Sequence, residues 1–162
     1  MTAWAGCTGG PGGMCRKRPR RGRRGRRRTM IKRIDHIAIA VRDLEASART
    51  FEQILGVPPT RVQEVPTEKV RVAFFPFGGG EIELVQGLGA ENPVANFIAK
   101  RGEGIHHICF VVDDLQGTLD RLAAAGVPLL DRAGKPGACG QVAFLHPRGA
   151  NGVLIELLQK PA

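Results

Sequence analysis

Two histidines and two glutamates have the types and the spacing to do chemistry. His36 lies in RIDHIAIAVRDL (33–44) and His107 in GIHHICFVVDDL (104–115). The two segments agree at Ile34/Ile105, His36/His107, Ile37/Ile108, Val41/Val112, Asp43/Asp114 and Leu44/Leu115. Glu83 and Glu156 follow in two Ile-Glu-Leu triplets, 47 positions after His36 and 49 after His107. Duplication accounts for matching apolar residues, because both copies need a core, but not for matching polar ones. Two imidazoles and two carboxylates make a mixed nitrogen–oxygen donor set. Such a set suits a six-coordinate divalent cation with room for a bidentate ligand: Co²⁺, Mn²⁺, Ni²⁺ or Fe²⁺, with Zn²⁺ less favoured because it prefers four ligands. His36, Glu83, His107 and Glu156 are therefore the predicted metal ligands.

Neighbouring residues of the same types are set aside on strand alternation, which sends successive side chains to opposite faces. By that rule Ile34 and His36 share a face, and His106 points away from His107 as a structural residue. Cys109 shares the face of His107, but Ala38 is its counterpart, so it reads as core. Glu81 shares the face of Glu83, but its counterpart is Leu154. His146 opens a turn in LHPRG and reads as holding that loop.

The elements that must position the ligands repeat in the same order. DLEASARTFEQILGVP (43–58) and DLQGTLDRLAAAGVP (114–128) read as helices, with Asp43 and Asp114 as N-terminal caps and Gly56 and Gly126 at the left-handed stop. VRVAFFPFGGGEIELVQ (70–86) and GQVAFLHPRGANGVLIELLQ (140–159) each carry a Val-Ala-Phe strand through a glycine turn into an Ile-Glu-Leu strand. Weak strands are predicted at 60–65 and 128–132. Residues 92–102 read as a connecting helix, with Asn92 as cap, Pro93 in the first turn and Gly102 at the stop. The expected fold class is α+β: two duplicated βαβββ modules (31–90 and 104–160) in one domain over 30–162, their sheets joined into a curved, open barrel-like surface.

Charge separates this body from an N-terminal arm. The chain carries 24 Lys and Arg against 15 Asp and Glu, but ten of the basic residues and no acid fall within 1–29, leaving a net charge of −1 for the rest. The arm is Arg/Gly-rich, lacks apolar periodicity and is expected to be disordered, or to precede a true start at Met30. Nucleic acid is an expected partner of that arm at most, since the body has no basic excess. No apolar run reaches the ~18 residues of a membrane span, and four cysteines without paired spacing point to a reduced, cytoplasmic setting.

RIDHIAIAV, NPVANFIAKRGEGIHHICFVVDD and FLHPRGANGVLIELLQKP resemble the methylmalonyl-CoA epimerase family of the vicinal oxygen chelate superfamily, over Ile31 to Pro161. The resemblance implies epimerisation of (2R)- and (2S)-methylmalonyl-CoA through a metal-stabilised enolate, with metal ligands at His36, Glu83, His107 and Glu156. It also implies an acyl-CoA substrate and a homodimer, placed in the mitochondrial matrix if the source is eukaryotic. One departure stands out. Some family members carry a glutamate base at the position of Val72, and an aliphatic side chain moves no protons. Glu64 and Glu68 lie nearby and read first as surface charges, which leaves Glu156, bordering the reaction centre, as the catalytic candidate. Lys135 is the candidate contact for CoA phosphate, with Arg148, Lys100 and Arg101 behind it. A glyoxalase I type lyase acting on a glutathione hemithioacetal, or a metal-free binding module of the same fold, would use the same scaffold.

Overall fold

The computed structural model describes residues 30–161, and the arm at 1–29 lies outside them. Module one runs β1 (Ile31–Ala40), α1 (Leu44–Leu55), β2 (Arg61–Val65), β3 (Val70–Phe77) and β4 (Gly80–Gly87). After α2 (Pro93–Arg101), module two runs β5 (Gly104–Val112), α3 (Leu115–Ala124), β6 (Lys135–Gly137), β7 (Gly140–Leu145) and β8 (Leu154–Gln159). The helices begin and end where the capping residues stand. Asp43 accepts a hydrogen bond from Ala46 N–H and Asp114 from Gly117 N–H, each at 2.9 Å. Asn92 accepts from Val94 N–H at 2.7 Å, with Pro93 next in line. Gly56, at φ 71°, closes α1 by donating its N–H to Glu52 O.

All eight strands form one sheet in the order β2-β3-β4-β1-β5-β8-β7-β6. Each module is thus a four-stranded half, and the halves meet through antiparallel β1 and β5, related by an approximate twofold axis near the Ile37–Ile108 pair. Alternation along the strands sorts the side chains. Ala73, Phe75 and Leu84 pack with Leu44 beneath α1, while Ala143 and Leu157 pack with Leu115 and Leu119 beneath α3. The opposite face carries Val72, Phe74, Val85, Val142 and Phe144, and the sheet curls so that this face encloses a cavity.

One strand differs from the sequence expectation. Residues 128–132 make only an isolated bridge, Leu129 to Leu145, and the edge strand falls at 135–137 instead. The cause is Asp131. Its carboxylate takes the N–H of Phe144 at 2.9 Å, while the N–H groups of Leu130 and Asp131 both go to Phe144 O. A side chain thus occupies a donor that a continuing ladder would have used.

Candidate metal centre and substrate cavity

Register across the central strands explains why four distant side chains meet. On β1, His36 lies opposite Cys109 and Ala38 opposite His107. Glu83 of β4 flanks Ala38, and Glu156 of β8 flanks Cys109. Each histidine of one module is therefore one small residue away from a glutamate in the same lateral row. Ala38 and Cys109 are both fully buried, and their small side chains leave the space into which the four donors converge.

The donor atoms lie close together. His36 Nε2 is 3.1 Å from His107 Nε2, 3.3 Å from Glu83 Oε2 and 3.4 Å from Glu156 Oε2. His107 Nε2 is 2.8 Å from Glu156 Oε2 and 3.9 Å from Glu83 Oε2. Ligands at about 2.0–2.2 Å around one cation at right angles to one another stand about 3 Å apart, so His36, Glu83 and His107 are spaced as in one coordination shell, with Glu156 against both histidines. The donor set fits a divalent cation. Burial opposes charge on the Glu156 carboxyl, but hydrogen bonds from His107 and His36 hold it down at about 2. Burial raises Glu83, with the two histidines pulling against it. Burial also opposes charge on His36, yet its bonds to Asp35, Cys109 and Glu156 raise its pKa overall.

The residues behind the two histidines depart from strand alternation. The register of β1 with β5 slips between Ile34 and His36, and again between Ala38 and Ile39, which makes Asp35 and His106 the extra residues of two equivalent β-bulges. A bulge cancels alternation locally. His106 therefore does not point away from His107; both line the cavity, with Nδ1 to Nδ1 at 2.9 Å. Burial and the neighbouring His107 push the His106 pKa down to about 4. Ile34, expected to share the face of His36, is instead an exposed residue outside the cavity. Asp35 is buried, 3.4 Å from His36 Nδ1, and its other oxygen receives Lys160 Nζ at 2.9 Å and Arg33 at 3.1 Å. A carboxylate behind a ligating histidine fixes ring orientation and tautomer. The Asp-His dipeptide was the available sequence signal for Asp35; nothing in the sequence flags Lys160.

The cavity has a volume of about 790 Å³, within the range of small-molecule sites. Val65, Val70, Val72, Phe74, Val85 and Val142 give it an apolar wall. Val72 is 1% exposed and lies in that wall. Glu64 is an exposed residue paired with Arg71 at 3.7 Å, away from the cavity, whereas Glu68 lines it. Lys135 also lines the cavity, but not from a free loop. It opens β6, paired with Asp131 at 3.1 Å and standing 5.0 Å from the centre of the Phe144 ring. Lys100, Arg101 and Arg148 do not border it. Arg61, missed in the sequence, does: its guanidinium stacks 3.7 Å over Phe74 and pairs with Glu81 at 3.2 Å. Glu81 is thereby occupied outside the donor cluster. Cys109 packs with Val142 and Leu158, and burial pushes its thiol up to about 12. His146 caps a 3-10 turn by accepting from Arg148 N–H.

Comparison with known proteins follows the same outline. The model of the Glyoxalase/Bleomycin resistance protein/Dioxygenase superfamily matches residues 35–159. The chain is 44% identical over 134 residues to the ethylmalonyl-CoA/methylmalonyl-CoA epimerase of Cereibacter sphaeroides, over 80% of this chain and 99% of that one. The methylmalonyl-CoA epimerase of Mycobacterium tuberculosis superposes with a TM-score of 0.77 at 30% identity, over 83% of this chain and 92% of its own. A variant of the Streptomyces coelicolor methylmalonyl-CoA epimerase, solved with 2-nitronate-propionyl-CoA, superposes with a TM-score of 0.73 at 31% identity, over 82% and 96%.

Proposed function

Because the chain belongs to the methylmalonyl-CoA epimerase family of the glyoxalase/bleomycin resistance protein/dioxygenase superfamily, we propose that it interconverts (2R)- and (2S)-methylmalonyl-CoA with the help of a divalent cation. The observation that carries this reading is the convergence of His36, Glu83, His107 and Glu156 at the floor of an apolar cavity. These four residues would hold the cation, Co²⁺ first among the candidates. When bound, the cation supplies Lewis-acid stabilisation for charge developing on the substrate thioester oxygen.

The chain's own residues do the rest. Asp35, anchored by Lys160 and Arg33, holds the His36 ring with Nε2 toward the donor cluster. The valine wall keeps water from the reacting carbon, which strengthens every electrostatic term inside. Glu156 borders the reaction centre and is the proton-handling group for the cradle side of that carbon. Lys135 at the cavity edge is suited to a CoA phosphate, since its exposed ammonium can exchange Asp131 for an incoming anion. A single domain over 30–162 working as a cytoplasmic homodimer completes the reading; its free Cys109 and Cys139 suit a reducing compartment.

The deciding experiment is solvent deuterium exchange at C2 of methylmalonyl-CoA, with each cation added in turn to stripped protein. Exchange from both epimers, dependent on the cation, is expected. Absence of exchange with every cation overturns the reading, and turnover of a glutathione hemithioacetal in its place would make the protein a lyase.

A further inference from the structure

Inverting a carbon centre requires proton handling on both of its faces, and the four-donor cradle covers only one. The wall that rises beside the cradle next to β4, built from Val70, Val72 and Phe74 of β3, is aliphatic and aromatic. Of the other carboxylates that line the cavity, Asp35 and Asp131 are held by cations, Glu83 and Glu156 sit in the cradle, and Glu91 is exposed in the turn before α2. Glu68 is different. It stands in the turn that leads into β3, lines the cavity near enough for its charge to act on Glu83 and for that of Glu156 to act on it, and no cation pairs with it among the described residues.

We propose that Glu68 is a catalytic residue, the proton-transferring carboxyl for the face of C2 turned away from the cradle. This assignment rests on the epimerase reading above. The turn that carries it is held firmly. Glu68 N–H donates to Val65 O at 3.1 Å and Lys69 N–H to Pro66 O at 3.2 Å, with Lys69 in the left-handed region at φ 52°. Buried Asn92 donates to both Glu68 O, at 3.0 Å, and Lys69 O, at 2.7 Å, tying the turn to the start of α2. A group fixed this way pays little ordering cost when substrate arrives. Glu68 is solvent-accessible at the cavity edge, yet the desolvation it undergoes there raises its pKa, and the negative charge of Glu156 adds to the rise. A raised value makes a stronger base near neutral pH.

The step balances without a further reagent. The Glu68 carboxylate takes the proton from C2 and becomes a carboxylic acid. The C–H electron pair moves into the bond toward the thioester carbonyl, whose oxygen becomes the enolate oxygen. On the cradle side Glu156 passes a proton taken from water to C2 as the electrons reverse, and the hydroxide left behind is neutralised by the proton that Glu68 releases at the cavity mouth. In the other direction Glu68 acts as the acid.

The test compares E68Q, E68D and E64Q with wild type in the cation-loaded full chain. E68Q should lose about 100-fold or more in kcat, with KM, thermal midpoint and cation content unchanged. It should also lose the acid limb of the kcat–pH profile. E68D should recover part of the rate, and E64Q should match wild type. A second readout needs no turnover: in metal-free protein carrying 13C-labelled glutamate, the Glu68 carboxyl resonance should shift when propionyl-CoA is added. E68Q turning over like wild type, or a Glu68 resonance indifferent to propionyl-CoA, overturns the assignment while leaving the epimerase reading intact. A wild-type protein that exchanges nothing with any cation overturns that reading, and this one with it.

Discussion

Asp35 illustrates how much of the site rests on single residues that hold its donors in place. Its carboxylate is nearly closed to water, yet it meets His36, Lys160 and Arg33 at once. The hydrogen bond with His36, aided by Lys160, outweighs burial and holds its pKa well below the usual carboxylate range. D35N keeps the shape but removes the charge that orients the imidazole, and cation affinity is expected to fall about 10–100-fold by calorimetric titration. The sign of the acid response follows from the depressed value. A carboxyl whose folded pKa lies below its unfolded one stabilises above the unfolded value and loses that contribution as pH falls toward the folded value. The acid limb of stability against pH should therefore be flatter in D35N than in wild type, read by denaturant unfolding from pH 5 downward.

At the scale of elements, the paired β-bulges at Asp35 and His106 have no counterpart in a reading by alternation. Each bulge turns an extra side chain toward the histidine that follows it, an acid in one module and a second imidazole in the other. The pseudo-symmetric halves thus differ in how they support their ligands. The hairpin joining β6 to β7 shows a different constraint. Gly140 sits at φ 147°, and a Cβ there would meet the backbone oxygen of Gln159 on β8. G140A should cost about 1–3 kcal/mol, seen as a lower unfolding midpoint. The caps are milder: D43A and D114A should each cost about 1 kcal/mol, and additively, since they serve separate helices.

For the whole molecule, one sheet built from two copies places the functional site at the join. The donors come from β1, β4, β5 and β8, the four central strands, so neither module can hold the cradle alone. The charged arm at 1–29 lies outside the described residues. The remaining chain carries a net charge of −1, and a chain beginning at Met30 is expected to keep full turnover in the deuterium-exchange assay. A loss of rate there would give residues 1–29 a part in the reaction.

The sequence by itself determined the duplication, the α+β class, the helix limits and the identity of the four converging residues. Those features are local or periodic: a cap needs one side chain and three neighbours, and a repeat reveals equivalent positions without any coordinates. Only the tertiary structure decided what stands behind and beside those four. The bulges that reorient Asp35 and His106 come from pairing between β1 and β5. The displacement of the weak strand comes from Asp131 reaching the backbone of β7, and the separation of Glu68 from Glu64 comes from a turn pinned by Asn92 on α2. Each depends on contacts between segments far apart in the chain, where a one-residue change of register sends a side chain to the other face of the sheet.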